Sequence, residues 1–502
     1  NAFTGLNQHV GNFPGVTVDK KTGLFTLEDN LQAELIDLPG TYSLYPRRAD
    51  EWVAYKVLMG ADAEIKADLI VLVADASNLK RNLLFCSQII DLKIPVVMAL
   101  TMNDLAAKKD IKIDISGLEA DLGIPVVAVN PRKNKGLNYM EKVVIIGGGY
   151  SGIYALQELV KNKNIKITLI DKHTFHNLQP EVYDLIANKS NIADVTIDLT
   201  TLCMGLNHDY LEYKNLKVRQ IDHEKKKIYT EEQEIVEFDY LIMAAGTRTF
   251  FPPQIPGLNN AHDIKKLHWA MFFKQSFENQ LFKKIQFEAK QCDDTHIVVV
   301  GAGLSGVEIA AEMAYNSKMF FKRGNFSCDN LKISLVSSSD TILPGLSAKL
   351  VSMSHQRLKY LGINVITNTK LLKCNEDHLE LSNGTKIYHS FIIFTGGIEA
   401  STITSQLDVE KNARGQIIVN EYLQSDKYEN IFAIGDMAQI KNKKGEIMPP
   451  NVTIARISGT TAGKNVLSMI AGKSMIKSNP KLDGILIALG GKYAAGDIFG
   501  IL

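Results

Sequence analysis

The chain has 502 residues, 45% hydrophobic and 22% charged, with a net charge of +1. That length is too great for one core and predicts about three domains. The charge balance gives no reason to expect a nucleic-acid partner, and no apolar run approaches the ~18–20 residues of a membrane span. Five scattered cysteines without a C-x-x-C point to a reducing compartment and away from a zinc ribbon or a redox-active disulfide.

In chain order, residues 1–139 alternate short apolar runs with helix-like stretches. "ADLIVLVAD", "IPVVMALT" and "IPVVAVN" read as buried parallel strands joined by crossover helices. "LIDLPG" carries Asp37 and Gly40 in the D-x-x-G spacing that places a carboxylate toward Mg²⁺ and an N–H toward a γ-phosphate. Thr17 in "FPGVTVDKK" suits a Mg²⁺-coordinating switch threonine. "ALTMND" matches a guanine-reading motif, with Asp104 accepting from the base and Thr101 where Asn is commoner; "VNPRKNKG" follows where a last guanine loop belongs.

"TGLNQHVGNFPGVTVDKKTG", "DLPGTYSL" and "DASNLKRNL" resemble the N-terminal G domain of the ferrous-iron transporter B family, from Asn1 to about Leu137. The resemblance implies a truncated Ras-like P-loop GTPase domain. The phosphate-cradling G-x-x-x-x-G-K-[ST] is expected just upstream of "NAFTGL", so GTP and Mg²⁺ binding is expected to be weak or nil. A guanine-nucleotide switch for iron uptake is therefore the alternative function.

The second block opens at "KVVIIGGGYSG". Gly147, Gly149 and Gly152 form G-x-G-x-x-G between a strand and the helix "IYALQELV". The first glycine makes the turn, the second admits a pyrophosphate and the third lets helix meet strand. The helix N-terminus favours the phosphates. "IKITLID" ends at Asp171, where a carboxylate can accept both ribose hydroxyls of an adenosine. "HEKKKIYTEEQE" reads as a solvated hairpin and "FPPQIPG" as a hinge. "HIVVVGAGLSG" repeats the motif with Gly301, Gly303 and Gly306, a domain-scale repeat. Its partner strand, "LKISLV", is followed by Ser337 where a ribose-binding carboxylate is expected. Two such sites suggest one bound flavin and one exchangeable nicotinamide, that is FAD with NADH or NADPH.

"FDYLIMAAGT" with Gly246, "FIIFTGG" with Gly397 and "NIFAIGDMA" with Gly435 and Asp436 resemble, in order, the remaining motifs of two-dinucleotide-binding flavoproteins across residues 140–500. Asp436 is thereby implied to bond the ribityl chain. "DKHTFHNLQPEVYDLI", with Gln179 and Pro180 over the flavin, and "TGGIEAS" are similar to type II NADH dehydrogenase, the single-subunit NADH:quinone oxidoreductase. The resemblance implies hydride transfer from NAD(P)H to flavin and onward transfer to an acceptor, a quinone. It places Glu308 beside the flavin, gating proton supply or quinone binding; a helix-dipole carboxylate is the other reading. "PPNVTIARISG" departs from the family's glutamine-bearing quinone helix at Thr453, Ile457 and Ser458, which leaves the acceptor open.

The implied organisation is a G-domain fragment at 1–139, a first FAD half at 140–257, an NAD(P)H domain at 258–395 and a second FAD half at 396–502. Met140 reads as the start of a separate protein and the junction as an abutment, since no linker precedes it. The family is bacterial-type, cytoplasmic or peripheral on the cytoplasmic membrane face, and admits a homodimer. The tail "DGILIALGGKYAAGDIFGIL" is glycine-broken, so its amphipathic anchor is expected to be missing or cut.

Ser337 in place of a carboxylate predicts weak rejection of a 2′-phosphate. The ratio of kcat/KM for NADH and NADPH should be modest. A preference for NADH above roughly 1,000-fold, about 4 kcal/mol, would contradict this.

Overall fold

The computed structural model describes residues 21–26, 32–41, 43–46, 49–60, 66–130, 140–286, 295–323, 331–482 and 484–498. It divides into two compact units, Asn1–Met140 and Glu141–Leu502.

In the first unit, Ile70–Asp75, Val96–Thr101 and Val126–Ala128 form a parallel sheet with Val96–Thr101 in the middle. The three predicted strands are therefore present, with the helices Leu79–Ile90 and Ile115–Leu122 on the chain between them. Their burial differs from the expectation. Leu72 pairs with Met98 and Met98 with Val126, so one face carries the core. On the other face Val71, Val73 and Val127 are 41%, 64% and 40% exposed. A parallel sheet is ordinarily covered on both faces; among the described residues this one is covered fully on one, and on the other only its middle strand is buried, at Ala99. The strand Gln32–Asp37, which carries the D-x-x-G aspartate, pairs antiparallel with Lys21–Thr26 and with no other described strand.

The second unit is built on two parallel sheets. The first has the order Leu211–Asn215, Lys166–Asp171, Lys142–Ile146, Tyr240–Met243, Ile431–Ala433. The second runs Asn364–Ile366, Leu331–Val336, Thr295–Val300, Phe391–Phe394. Residues 143–146 and 297–300 are buried throughout, as a strand covered on both faces must be, which is why they read as continuous apolar runs rather than alternating ones. The fifth strand of the first sheet follows the whole second sheet in sequence, so the second module is an insertion into the first. Thr247–Thr249 and Ile398–Ala400 pair antiparallel where the chain leaves and re-enters. Each module also carries a three-stranded antiparallel meander; the charged "HEKKKIYTEEQE" supplies the middle strand of one, Lys227–Thr230, and the turns on either side of it.

The helix Val452–Ile470 starts at Asn451, whose side chain accepts from the Ile454 N–H at 2.8 Å. It packs on the helix Tyr150–Leu159 through glycines. A Cβ on Gly459 would lie 2.2 Å from the Ser151 carbonyl oxygen, and one on Gly463 2.8 Å from that of Ala155. The chain beyond it forms a hairpin, Gly484–Ala488 with Ala494–Ile498. Ile487, Leu489 and Ala495 of the hairpin are buried in the core of the second module. Arg357 holds it in place, donating to the carbonyls of Leu489 at 2.9 Å and Gly490 at 3.1 Å and lying over the Tyr493 ring.

Gly459→Val should therefore force the two helices apart and destabilise the second unit by about 1–3 kcal/mol or more. Gly205→Ala, where an added Cβ meets nothing within 4 Å, is the matched control. Denaturant titration of both checks this; equal midpoints would refute the packing role of Gly459.

Candidate active site

The two glycine loops have the same backbone geometry. Gly147 and Gly301 both adopt φ +114°, a conformation that favours glycine. Their N–H groups donate to Ile170 and Val336, the ends of the neighbouring strands, at 2.8 and 2.9 Å. A Cβ on Gly152 or Gly306 would fall 1.9 or 1.8 Å from the carbonyl oxygen of Gly147 or Gly301. In contrast, a Cβ on Gly149 or Gly303 would meet nothing within 4 Å. Open space beside a bare backbone at a helix N-terminus is the cradle a pyrophosphate requires.

Asp171 lies where the sequence placed it, at the end of its strand. Its carboxylate accepts from the Gly148 N–H at 2.6 Å and the His173 N–H at 2.8 Å. The corresponding Ser337 turns inward, donating to the Thr341 carbonyl at 3.0 Å, and is 3% exposed. His176, which sequence reasoning passed over, is buried and braces the first loop through Nδ1 and the Gly148 carbonyl at 3.0 Å. Burial pushes its pKa down, against that bond and the Asp171 carboxylate.

Gln179 and Pro180 begin a short 3-10 turn that leads into the helix Val182–Ile186. Asn177 Nδ2 donates to Gln179 Oε1 at 3.1 Å. That leaves Asn177 Oδ1 and Gln179 Nε2 buried with no partner in the protein. Buried polar atoms without partners are uncommon. Here an acceptor and a donor side by side fit the polar edge of a bound cofactor such as FAD.

Gly435 and Asp436 form the turn after the fifth strand. The Gly435 N–H donates to Ser458 Oγ at 3.0 Å, and Ser458 donates in turn to the Ile454 carbonyl at 2.7 Å. One of the residues departing from the quinone-helix pattern thus turns inward and anchors this loop. Gly246 and Gly397 sit at either end of the module crossing, their carbonyls accepting from Ser401 and Phe250 at 3.0 and 3.1 Å. Lys265, in no motif, donates from Nζ to Thr247 Oγ1 at 2.7 Å. Burial pushes the Asp436 carboxyl up, against the Lys265 ammonium and the Thr247 hydroxyl.

A hydrogen bond that no local pattern announces ties the second glycine loop to the segment that follows Gln179. Tyr183, just past Gln179 and Pro180, donates to Ser305 Oγ inside the second glycine loop at 2.7 Å. Burial pushes the Tyr183 phenol up to about 12. Glu308, one turn along the helix Leu304–Arg323, accepts from the Ala488 N–H of the terminal hairpin at 3.1 Å. Burial first, with the Glu312 and Asp184 carboxylates adding to it, raises Glu308 to about 7 against the Ala488 bond. It can therefore hold or release a proton near neutral pH.

In the first unit, Asp37 closes its strand and Gly40 follows three residues beyond it, outside any regular element. Thr101 Oγ1 donates to the Ala74 carbonyl at 3.0 Å, a structural tie between strands. Asp104 is exposed in the first turn of the helix Asn103–Lys108. Between them Asn103, not singled out in the sequence, donates to the Leu100 carbonyl at 2.7 Å and the Val129 carbonyl at 3.4 Å, joining the ends of two strands. Thr17 lies outside the described residues. A groove of about 560 Å³ is lined by Asn78, Lys80, Lys112, Asp114 and Asp121 among others, and by none of the guanine-type residues.

Residues 1–144 match a family model described as ferrous iron transport protein B. Residues 141–458 match one described as pyridine nucleotide-disulphide oxidoreductase. The chain is 28% identical over 398 residues to a type II NADH:quinone oxidoreductase of Haemophilus influenzae, covering 72% of this chain and 87% of that protein. To that of Staphylococcus aureus (strain NCTC 8325 / PS 47) it is 26% identical over 376 residues, covering 72% and 90%. Among solved structures it is similar in fold to NDH2 from Plasmodium falciparum in complex with NADH, at TM-score 0.63 and 19% identity over 72% of this chain and 90% of that one. The sulfide:quinone oxidoreductase of Aquifex aeolicus follows at 0.57 and 19%, over 72% and 87%. With two parallel dinucleotide-type sheets in place and a family model spanning more than half of its length, the chain belongs to the pyridine nucleotide-disulphide oxidoreductase family and is an oxidoreductase.

Proposed function

We propose that the second unit is an FAD-dependent NAD(P)H dehydrogenase that delivers electrons to a quinone. The observation that carries this reading is the pair of glycine loops of one geometry, the second of them bonded through Ser305 to Tyr183 in the segment that follows Gln179 and Pro180. The first would hold FAD through Gly147, Gly149, Gly152 and Asp171. Asn177 and Gln179 offer their unpartnered polar atoms, with Pro180, Gly246, Gly435 and Asp436 completing the site. The second would hold NADH or NADPH through Gly301, Gly303 and Gly306, with Gly397 at the crossing. When bound, the flavin supplies hydride acceptance and onward electron transfer. The residues orient the two cofactors, and Glu308 holds a proton beside the junction.

Type II relatives support a quinone as acceptor, and the sequence has no C-x-x-C with which to reduce a disulfide. A bilayer-dissolved quinone would bring the protein to a membrane face; no described helix is long and apolar enough to cross one. A homodimer belongs to the same reading. The match of residues 1–144 favours a second reading, a guanine-nucleotide module with Mg²⁺ on Thr17 and Asp37. The sequence contains no G-x-x-x-x-G-K-[ST], so this module should bind labelled GTP weakly or not at all.

Steady-state NADH oxidation tests the main reading. Turnover should be fastest with a soluble quinone, slower with ferricyanide and slowest with oxygen; no turnover with any of them would refute it. Glu308→Gln should keep the flavin and lower quinone turnover several-fold. In the parent, turnover should fall as pH rises through about 7, where Glu308 loses its proton, and the Gln variant should lack that step. A variant with the parent's rate and pH profile would remove Glu308 from the mechanism.

A further inference from the structure

Lys265 belongs to none of the dinucleotide motifs, yet it joins three chain segments that they bring together. It lies between the "FPPQIPG" turn and the helix Leu267–Gln286. Its Nζ reaches back to Thr247 Oγ1 at 2.7 Å, directly after Gly246. The carboxylates of Asp436, on the second FAD-type loop, and of Asp263 act on it electrostatically. Asp263 is 5% exposed and secures the same segment. It accepts from Thr249 Oγ1 at 2.6 Å and from the Lys265 N–H at 3.2 Å, and its other oxygen faces Lys266 at 3.5 Å. Lys266 is exposed and pairs with the buried Asp263 from outside, while Lys265 turns to Thr247.

An ammonium out of water is costly, and a tie between loops could be made by a neutral donor or by apolar packing. Burial pushes the Lys265 pKa down, and the two carboxylates act against that push. What a lysine adds over a neutral donor is a fixed positive charge. Flavin reduction brings in negative charge, and a preorganised cation in a water-poor site favours the more negative state.

We propose that Lys265 is a positioning residue for the flavin: it fixes the Asp436 loop against Thr247 and supplies the positive charge that favours the reduced cofactor. This rests on the flavoprotein reading above. The effect is exerted through Asp436 and through the local potential, not through proton transfer.

The test compares the parent full-length chain with Lys265→Met and Lys265→Arg, reading bound FAD per protein and the flavin midpoint potential by equilibration with a reference dye. Lys265→Met should hold FAD less tightly. At a fixed potential its reduced-to-oxidised ratio should drop about tenfold, a shift of ~30 mV for a two-electron couple. Lys265→Arg should restore most of both. A Met variant with the parent's potential overturns the proposal, even where its FAD content is reduced, because a mere tie would not move the potential. If Lys265→Met loses FAD altogether, retention by Lys265→Arg supports the proposal and loss by both overturns it. A parent chain that takes up no FAD would overturn the flavoprotein reading itself, and this inference with it.

Discussion

Backbone pressed against backbone at Gly152 and Gly306 sets the geometry on which the second unit depends. At neither position is there room for a Cβ, because the carbonyl oxygen of the first glycine in the loop occupies that space. The helix is therefore seated directly on the turn that ends the strand, and its N-terminal N–H groups converge where the second glycine leaves the backbone bare. The same device recurs where the helix Val452–Ile470 meets Tyr150–Leu159, since Gly459 leaves no room for a Cβ over the Ser151 carbonyl. A Cβ on Gly435 would likewise come within 2.5 Å of Ser151 Oγ. The first glycine loop, its helix and the Asp436 loop are in this way held in one rigid arrangement. Any change in that packing would be felt at the cofactor cradle before it was felt in the sheet.

Around that frame, polar groups do the joining. Tyr183 and Ser305 connect the segment following Gln179 to the second glycine loop. Glu308 sits one turn beyond, and the terminal hairpin covers it with the Ala488 N–H. The hairpin is itself held by Arg357 and by Glu312, whose Oε2 accepts from the Gly491 N–H at 3.3 Å. Desolvation and two neighbouring carboxylates keep Glu308 close to its titration point, the condition under which a carboxyl can both give and take a proton at neutral pH. The tail that reads in the sequence as a broken anchor is, in the fold, part of this carboxyl's surroundings.

What the sequence reveals follows from how local each signal is. The strands 142–146, 166–171, 295–300 and 331–336 were legible because strands buried on both faces are continuous apolar runs. The glycine loops were legible because their spacing is imposed by contacts within a few residues. Tyr183, Lys265 and Arg357 were not, because their partners lie in other segments. Tyr183 and Ser305 are 122 positions apart, and nothing in either neighbourhood marks the other. In the first unit the strand pattern was right but its burial was not. An apolar run such as "IVLVAD" does not say whether both of its faces are covered, and here Val71 and Val73 remain exposed. Asn103 is hidden for a related reason: the motif pattern marks Thr101 and Asp104, while the side chain between them makes the connection.

In the proposed function one site holds a flavin and the other presents a nicotinamide to it. Anaerobic titration of the purified chain with NADH, following the visible flavin absorbance, tests this most directly. The expected result is a flavin-bearing protein whose absorbance is bleached by one equivalent of NADH per flavin. A protein that carries flavin but is not bleached by NADH or NADPH, or that binds no flavin at all, would contradict it.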